Sequence, residues 1–548
     1  MQHPILVSAA AAALGLSAGL LQAEASPKAF RDPLRFSLVP IGVHTNPPPY
    51  NTSAAEIVVH DSGLQRLYVV NAQGRRLDVL DVQDPTQPTK LGQVELGTFG
   101  PVVNSVAFHD GLIAVAIEAA VKTDPGQVVL LDRSFQLINS IQVGALPDML
   151  TFSPNGRWLL VANEGEPNTY NNFGSSTNGP SIDPEGSISV IDLSGGPAAA
   201  TVRTATFAAF NHRPLPAGLR IYGPGASVAQ DLEPEYITVS EDSTFAWITL
   251  QENNGIAVLH IPSAQVLRVE GLGFKDHSLP GMGLDASDQD GGIQIRPWPI
   301  RGIYNPDAIA HYRHRGQAYL VMANEGDTRE YPGFREDVRL STRTLDPAAF
   351  PNGDELKMTN ALGRLAVSSV DGDGDGDGDL DAIFAYGGRS FSIRTAAGAL
   401  VWDSGDQLEQ LTAAVLPNIF NASHGNNTRD SRSTSKGPEP EGLALGRVAG
   451  RTLAFVGLER IGGVVVYNIS DPRQPVLEDY INTRLVLSPF SFATAGDLGP
   501  EGLTFIPAEQ SPNGRPLVVV AHEVSGSTVI FEVQVNLPQA RGKGAPEP

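Results

Sequence analysis

The chain of 548 residues carries 38 Lys and Arg against 60 Asp and Glu, a formal charge of −22 at pH 7, and no cysteine. Such a charge repels nucleic acid and anionic membrane and suits a protein that holds divalent cations. The missing thiols exclude a disulfide framework and a thiolate metal site, so a bound metal must be hard and oxygen-ligated, or held by His.

In chain order, residues 5–21 form an Ala/Leu-rich apolar run, followed by Ala23, Glu24 and Ala25 in the pattern of an A-x-A cleavage site. The run is short for a membrane span, so residues 1–25 read as a secretory signal peptide, and the product as a secreted or periplasmic protein without a transmembrane anchor. A Pro-rich lead-in, 26–56, is expected to cover or complete a unit of the domain that follows, 57–536. Residues 537–548 read as a disordered tail.

Within 57–536 one unit recurs. A Pro-Asp or Pro-Glu turn opens a short strand, a polar turn leads to a second strand that ends in an acid, and a third strand follows. The acid pairs are Asp148 and Glu164, Glu235 and Glu252, Asp307 and Glu325, Glu441 and Glu459, and Glu501 and Glu523. Each pair is about 16 to 22 residues apart, the variation falling in the turn, where insertions are tolerated. Two looser copies come first: one starts at Glu56 and has Asn71 in place of the second acid, the other has Asn104 in place of the first and keeps Glu118. Seven copies of a small antiparallel sheet that cannot bury both faces alone predict an all-β fold, a seven-bladed β-propeller. Since antiparallel neighbours bring the start of one strand beside the end of the next, the two acids of each copy should meet at one sheet edge.

Long insertions interrupt the repeat at 167–187, 267–304 and 332–436, and are expected over the acid-bearing face. The last contains DGDGDGDGDLD, residues 371–381. Alternating Asp and Gly sets a carboxylate at every second residue on a backbone free to curl, which suits an oxygen cage for Ca²⁺; the frame is Asp373, Asp375, Asp377, Asp379 and Asp381. Phe384 stands where an EF-hand would place its Glu, so a helix pair is not expected.

In a propeller the first strand of each blade is innermost, so the ten paired acids should crowd around one opening. They need cations, basic neighbours or raised pKa values to coexist, and they are assigned as metal ligands. Arg329, Arg335, Arg389, Arg432, Lys436 and Arg460 lie close to them in sequence and suit an anionic substrate. Glu459, Arg460 and Arg329 are the candidate catalytic residues. No G-x-S-x-G elbow, Walker A loop or H-E-x-x-H is present, which removes the serine hydrolase, P-loop and zincin classes. His277, His311, His314 and His522 read as packing or surface residues.

The segments ANEGEP (162–167), DPEGSISVIDL (183–193), ANEGDTREY (323–331), DGDGDLDAIFAYGGRSFSI (375–393), GPEPEG (437–442) and GLERIGGVVVY (457–467) together resemble the choice-of-anchor I family. That resemblance implies an exported propeller, with some relatives labelled alkaline phosphatase or phytase-like. The function expected is a Ca²⁺-binding, metal-dependent phosphoric-ester hydrolase acting on a small anionic or phosphorylated substrate as a monomer. The alternative is a non-catalytic extracellular binding or matrix protein stabilised by Ca²⁺.

Overall fold

A computed structural model describes residues 34–170 and 181–536. The signal-peptide reading, part of the first insertion and the tail lie outside the described residues.

Among the described residues the chain forms seven four-stranded antiparallel sheets, one five-stranded sheet and one two-stranded hairpin. The first strands of the seven are Val58–Asp61, Val103–His109, Pro147–Phe152, Pro234–Val239, Ile309–His314, Pro440–Val448 and Pro500–Ile506. Each touches the next in this order, and the last touches the first. A cavity of about 180 Å³ lies between them, lined from all seven by Glu56, Asn104, Asp148, Tyr236, Asp307, Gly442 and Glu501 among others.

Burial accounts for the strand chemistry. Second strands such as Trp158–Asn163 and Leu517–His522 are buried at every position and read as unbroken apolar runs, because both faces meet a neighbouring sheet. The first strands, facing the channel, are only half-buried. Apolar clusters sit between consecutive sheets, as where Leu160 and Val190 pack on Ile248 and Ala257, or Leu67 and Val69 on Val519 and Ile530. No sheet could keep its core alone.

The ring closes through both ends of the domain. Arg35–Thr45, from the lead-in, pairs antiparallel with Ser527–Asn536 and is the outermost strand of the last sheet. At the axis, the Gly502 N–H donates to the Glu56 carbonyl at 3.0 Å. Close approach here explains the third letter of the Pro-Glu-Gly turns. A side chain on Gly442 would strike the Glu501 carbonyl, and one on Gly502 the Glu56 carbonyl.

The insertions need redrawing. Gln265–Gly271 is the outer strand of the fourth sheet, so the second insertion starts after Gly271 rather than at 267. Phe391–Thr395 and Leu400–Asp403, inside the supposed 332–436 insertion, are the third and fourth strands of the sheet that begins with Ile309–His314. A long segment thus enters in mid-sheet, which local pattern cannot reveal and which chain entropy penalises only slowly with length. The two insertions also cooperate. Phe274–Asp276 and Arg301–Ile303 join Asp337–Arg339, Ala366–Ser368 and Phe384–Tyr386 in the five-stranded sheet, over a core that includes Trp298, Leu340, Phe350, Leu362 and Ile383.

Candidate metal centre at the channel mouth

The acids reach the channel through a repeated irregularity. Pro147, Pro234, Pro440 and Pro500 pair opposite Asn163, Leu250, Leu458 and His522, and in each sheet the register slips between that Pro and the residue three further on. Asp148, Glu235, Glu441 and Glu501 lie in the slip. Such a bulge leaves its residue free of the ladder and re-aims it, and Pro tolerates the position because it has no N–H to donate. Glu164, Glu459 and Glu523 follow directly on the end of the second strand, and Glu252 and Glu325 one residue later.

Among the described residues two groups at the mouth come within metal-binding reach. Glu325, Glu441 and Glu459 each offer a carboxylate oxygen, all within 4.8 Å of one another, and so do Glu459 and Glu523 with a ring nitrogen of His424. Glu459 belongs to both and is 4% exposed. The Oε2 atoms of Glu441 and Glu459 are buried with no hydrogen-bond partner. The other ring acids, Asp148, Glu164, Glu235, Glu252, Asp307 and Glu501, line the ring without joining a three-ligand group of that span among the described residues.

Burial and mutual repulsion dominate the electrostatics. Burial, then Glu459, Glu501 and Glu325, hold the Glu441 carboxyl well above its ordinary range. Glu164, Glu235, Asp307 and Glu501 are raised in the same way. Asp148 is pushed up to about 6 by burial and Glu118. Glu252 rises to about 8, through burial and Glu233. Glu325 reaches about 7: burial raises it while Lys436 pulls it down. Glu56, absent from the predicted ligand set, rises to about 8 through burial, Glu523 and Asp148. Acids this close hold their charge cheaply only if a cation sits among them.

The basic residues are mostly committed. Buried Glu439 binds Arg432 at 2.6 Å, Arg460 at 3.1 Å and Lys436 at 3.3 Å. Burial alone would raise its pKa; the three cations bring it to about 2. Lys436 also meets Glu325 at 2.8 Å, and Arg460 meets Glu459 at 2.8 Å. Above them opens a pocket of about 480 Å³ lined by Asp327, Arg335, Arg339, Arg432, Lys436 and Arg460 among others.

Arg329, expected to take part in catalysis, is held by fixed charges in the structure. Its side chain is wholly buried, ion-paired with Asp231 and with Glu233 at 2.9 Å, and stacked over Tyr222. It anchors the wall of the pocket it lines. Arg389 is likewise buried, on Glu409 at 2.6 Å. Truncating a buried ion-pair partner strands the other charges, so Arg329→Leu is expected to cost about 3–5 kcal/mol in urea unfolding at pH 7; a loss below about 1 kcal/mol would deny the scaffold role.

In the Asp-Gly loop, Asp373, Asp375 and Asp381 come within 4.8 Å of one another, whereas Asp377 and Asp379 stay outside that group. Asp373 accepts from the Gly376 and Gly378 N–H groups, and Asp381 from that of Gly374. Gly372, Gly376 and Gly378 adopt φ of +109°, +81° and +101°, which only Gly takes readily. Asp371 turns away to Arg220 at 2.7 Å.

Sequence reasoning missed His424 and Glu439, and left Glu56, the opening acid of the first copy, out of the ligand set. His424 stands alone in a turn-rich segment, ASHGNN, with no motif around it. Glu439, two residues before Glu441, was legible only as part of the GPEPEG string.

A closed ring of four-stranded antiparallel sheets with acids at one opening of its channel defines a β-propeller with an acidic mouth. The model of the choice-of-anchor I domain matches residues 56–472, and the chain belongs to that family. It is 31% identical over 277 residues to the mesenchyme-specific cell surface glycoprotein of Strongylocentrotus purpuratus, covering 44% of this chain and 35% of that protein. To Gigasin-3a of Magallana gigas it is 36% identical over 185 residues, 32% of this chain and 65% of the relative. The chain therefore spans about a third and just under two thirds of these relatives. Among solved structures, Kuenenia stuttgartiensis hydrazine synthase is similar at a TM-score of 0.44 with 14% identity, over 90% of this chain and 97% of that one. The Cps50 (Swd1) propeller domain of Myceliophteria thermophila gives 0.39 with 8% identity, over 92% and 100%.

Proposed function

We propose that the protein is an exported seven-bladed propeller that binds divalent cations, Ca²⁺ foremost, at its channel mouth and in its Asp-Gly loop, and acts as a metal-dependent phosphoric-ester hydrolase. The blade count rests on the seven first strands that touch in a ring. Export is supported by membership of this family and by the surface location in the printed name of the sea-urchin relative. No helix among the described residues is long and apolar enough to cross a membrane.

One observation carries the metal site: Glu325, Glu441 and Glu459 converge, and two of the converging carboxylates keep a buried oxygen without a partner. An oxygen-only donor set fits a hard ion such as Ca²⁺. When bound, such an ion polarises a phosphoryl oxygen and lowers the pKa of a ligated water. The protein's own share is positional. Glu439 holds Arg432, Lys436 and Arg460 along the pocket floor, where their outer N–H groups can orient a phosphate.

The same clamp favours a second reading, a non-catalytic surface-binding protein, because Glu439, Glu459 and Glu325 already neutralise those cations. Metal-loaded protein assayed with p-nitrophenyl phosphate, a phosphodiester and phytate decides between them. No turnover of any, in protein shown to contain metal, removes the hydrolase.

The loop makes its own prediction. Ca²⁺ in excess over chelator should raise the melting temperature, and Asp375→Asn together with Asp381→Asn should remove part of that rise while leaving channel-mouth binding intact. An unchanged rise would mean the loop holds no ion.

A further inference from the structure

Glu459 is the only residue common to the two ligand groups at the channel mouth, and the groups differ in chemistry. Glu325, Glu441 and Glu459 present oxygens alone. His424, Glu459 and Glu523 present an imidazole nitrogen and two carboxylates within the same 4.8 Å span. The His424 Nδ1 lies 3.5 Å from Glu459 Oε1. Glu459 is nearly inaccessible, yet its Oε2 has no hydrogen-bond partner. A buried carboxylate with one oxygen engaged and one orphaned, between two ligand sets, has the form of a bridge.

We infer that the mouth is a two-cation centre in which His424, Glu459 and Glu523 form a second site for a nitrogen-preferring divalent ion of the Zn²⁺ or Co²⁺ class, with Glu459 bridging to the oxygen-only site. This rests on the reading of the mouth as a metal centre and extends it to a second ion. Ligand type selects the ion: imidazole with carboxylate suits Zn²⁺ and its neighbours, whereas Ca²⁺ rarely takes nitrogen. Two ions sharing a carboxylate also fit phosphoric-ester chemistry, where paired metals clamp the attacking and leaving oxygens.

Arg460 stands in the second site. Its NH1 lies 3.0 Å from His424 Nδ1 and 2.8 Å from Glu459 Oε1, while its Nε holds Glu439 at 3.1 Å. An incoming cation must displace NH1 from both ligands, with Glu439 retaining the guanidinium. Arg460 is therefore a competitor for the second site, and removing it should tighten that site.

The test uses the full-length protein with Co²⁺ or Zn²⁺ as probe and Ca²⁺ titrated separately. X-ray absorption of wild-type protein carrying one equivalent of Zn²⁺ should show an imidazole in the metal shell. His424→Gln should abolish it and weaken Zn²⁺ by on the order of 100-fold, the upper end of what even outer-shell ligand partners contribute, with Ca²⁺ affinity unchanged. Glu441→Gln should do the reverse, Glu459→Gln should weaken both ions, and Arg460→Ala should strengthen Zn²⁺ alone. An all-oxygen shell in the wild type overturns the inference without recourse to any variant, as does Zn²⁺ binding that His424→Gln leaves intact. Ca²⁺ failing to bind while the His424-dependent shell persists would instead defeat the calcium reading and leave the second site standing.

Discussion

Replacing Glu441 and Glu459 together by Gln is expected to lower phosphoric-ester hydrolysis by at least about 100-fold, because two of the three ligands of the oxygen-only site, one of them the proposed bridge, lose their charge. Stability should move the other way in chelator. Glu441 is repelled by Glu459, Glu501 and Glu325, and Arg460, parted from Glu459, keeps Glu439 as its partner, so the metal-free double variant sheds repulsion and should melt above the wild type. Saturating Ca²⁺ should reverse the order. An ion at 100 times its dissociation constant stabilises the wild type by about 2.7 kcal/mol, and the variant by much less. The crossing of melting temperatures, read by calorimetry with and without Ca²⁺, separates a ligand role from a packing role. A variant equally destabilised in both conditions would show that these acids only hold the sheets together. That comparison stands even if the wild type hydrolyses nothing.

The second large effect is on pH. Glu56 and Glu252 have an ordinary carboxyl value of 4.5 and reach about 8 in the folded protein. Between those values the native state binds more protons than the unfolded chain, so stability must fall as pH rises. The contribution of these acids is highest below the unfolded value near 4.5 and bottoms out above the folded value. A full proton lost over one pH unit costs about 1.4 kcal/mol, and several ring acids share the direction, so metal-free protein should lose several kcal/mol between pH 5 and 8. Ca²⁺ should flatten that slope by taking the place of the protons. Urea unfolding across this range in chelator checks the sign. A stability that climbs from pH 5 to 8 would mean that the ring acids are offset by cations the structure does not place beside them.

The repeat was legible because its parts are local. A Pro-acid turn, two strands and an acid at the end of the second lie within one short window, and antiparallel pairing brings Glu441 and Glu459 together with no other information. Five such copies with two looser ones were enough to anticipate a ring of small sheets, since none can bury both faces alone. The Asp-Gly loop was legible for the same reason, although only Asp373, Asp375 and Asp381 converge.

Contacts between segments distant in sequence were decided by tertiary structure alone. Arg329 sits two residues after Asp327 at the site, and nothing local shows that Asp231, at the end of the short helix Val228–Asp231, and Glu233, just before the strand Pro234–Val239, enclose it. Glu439 lies among the repeat's acids, but its three cations make it the clamp of the pocket rather than a metal ligand. His424 reaches Glu459 and Glu523 only because the long connection between the strands Leu400–Asp403 and Pro440–Val448 carries it to the channel mouth. Hydrophobic period and turn chemistry act over a few residues and determine strands and the edges where their acids meet. Which charges cancel, and which remain to face a cation, depends on packing between sheets, because a buried charge is set by its nearest neighbours in space.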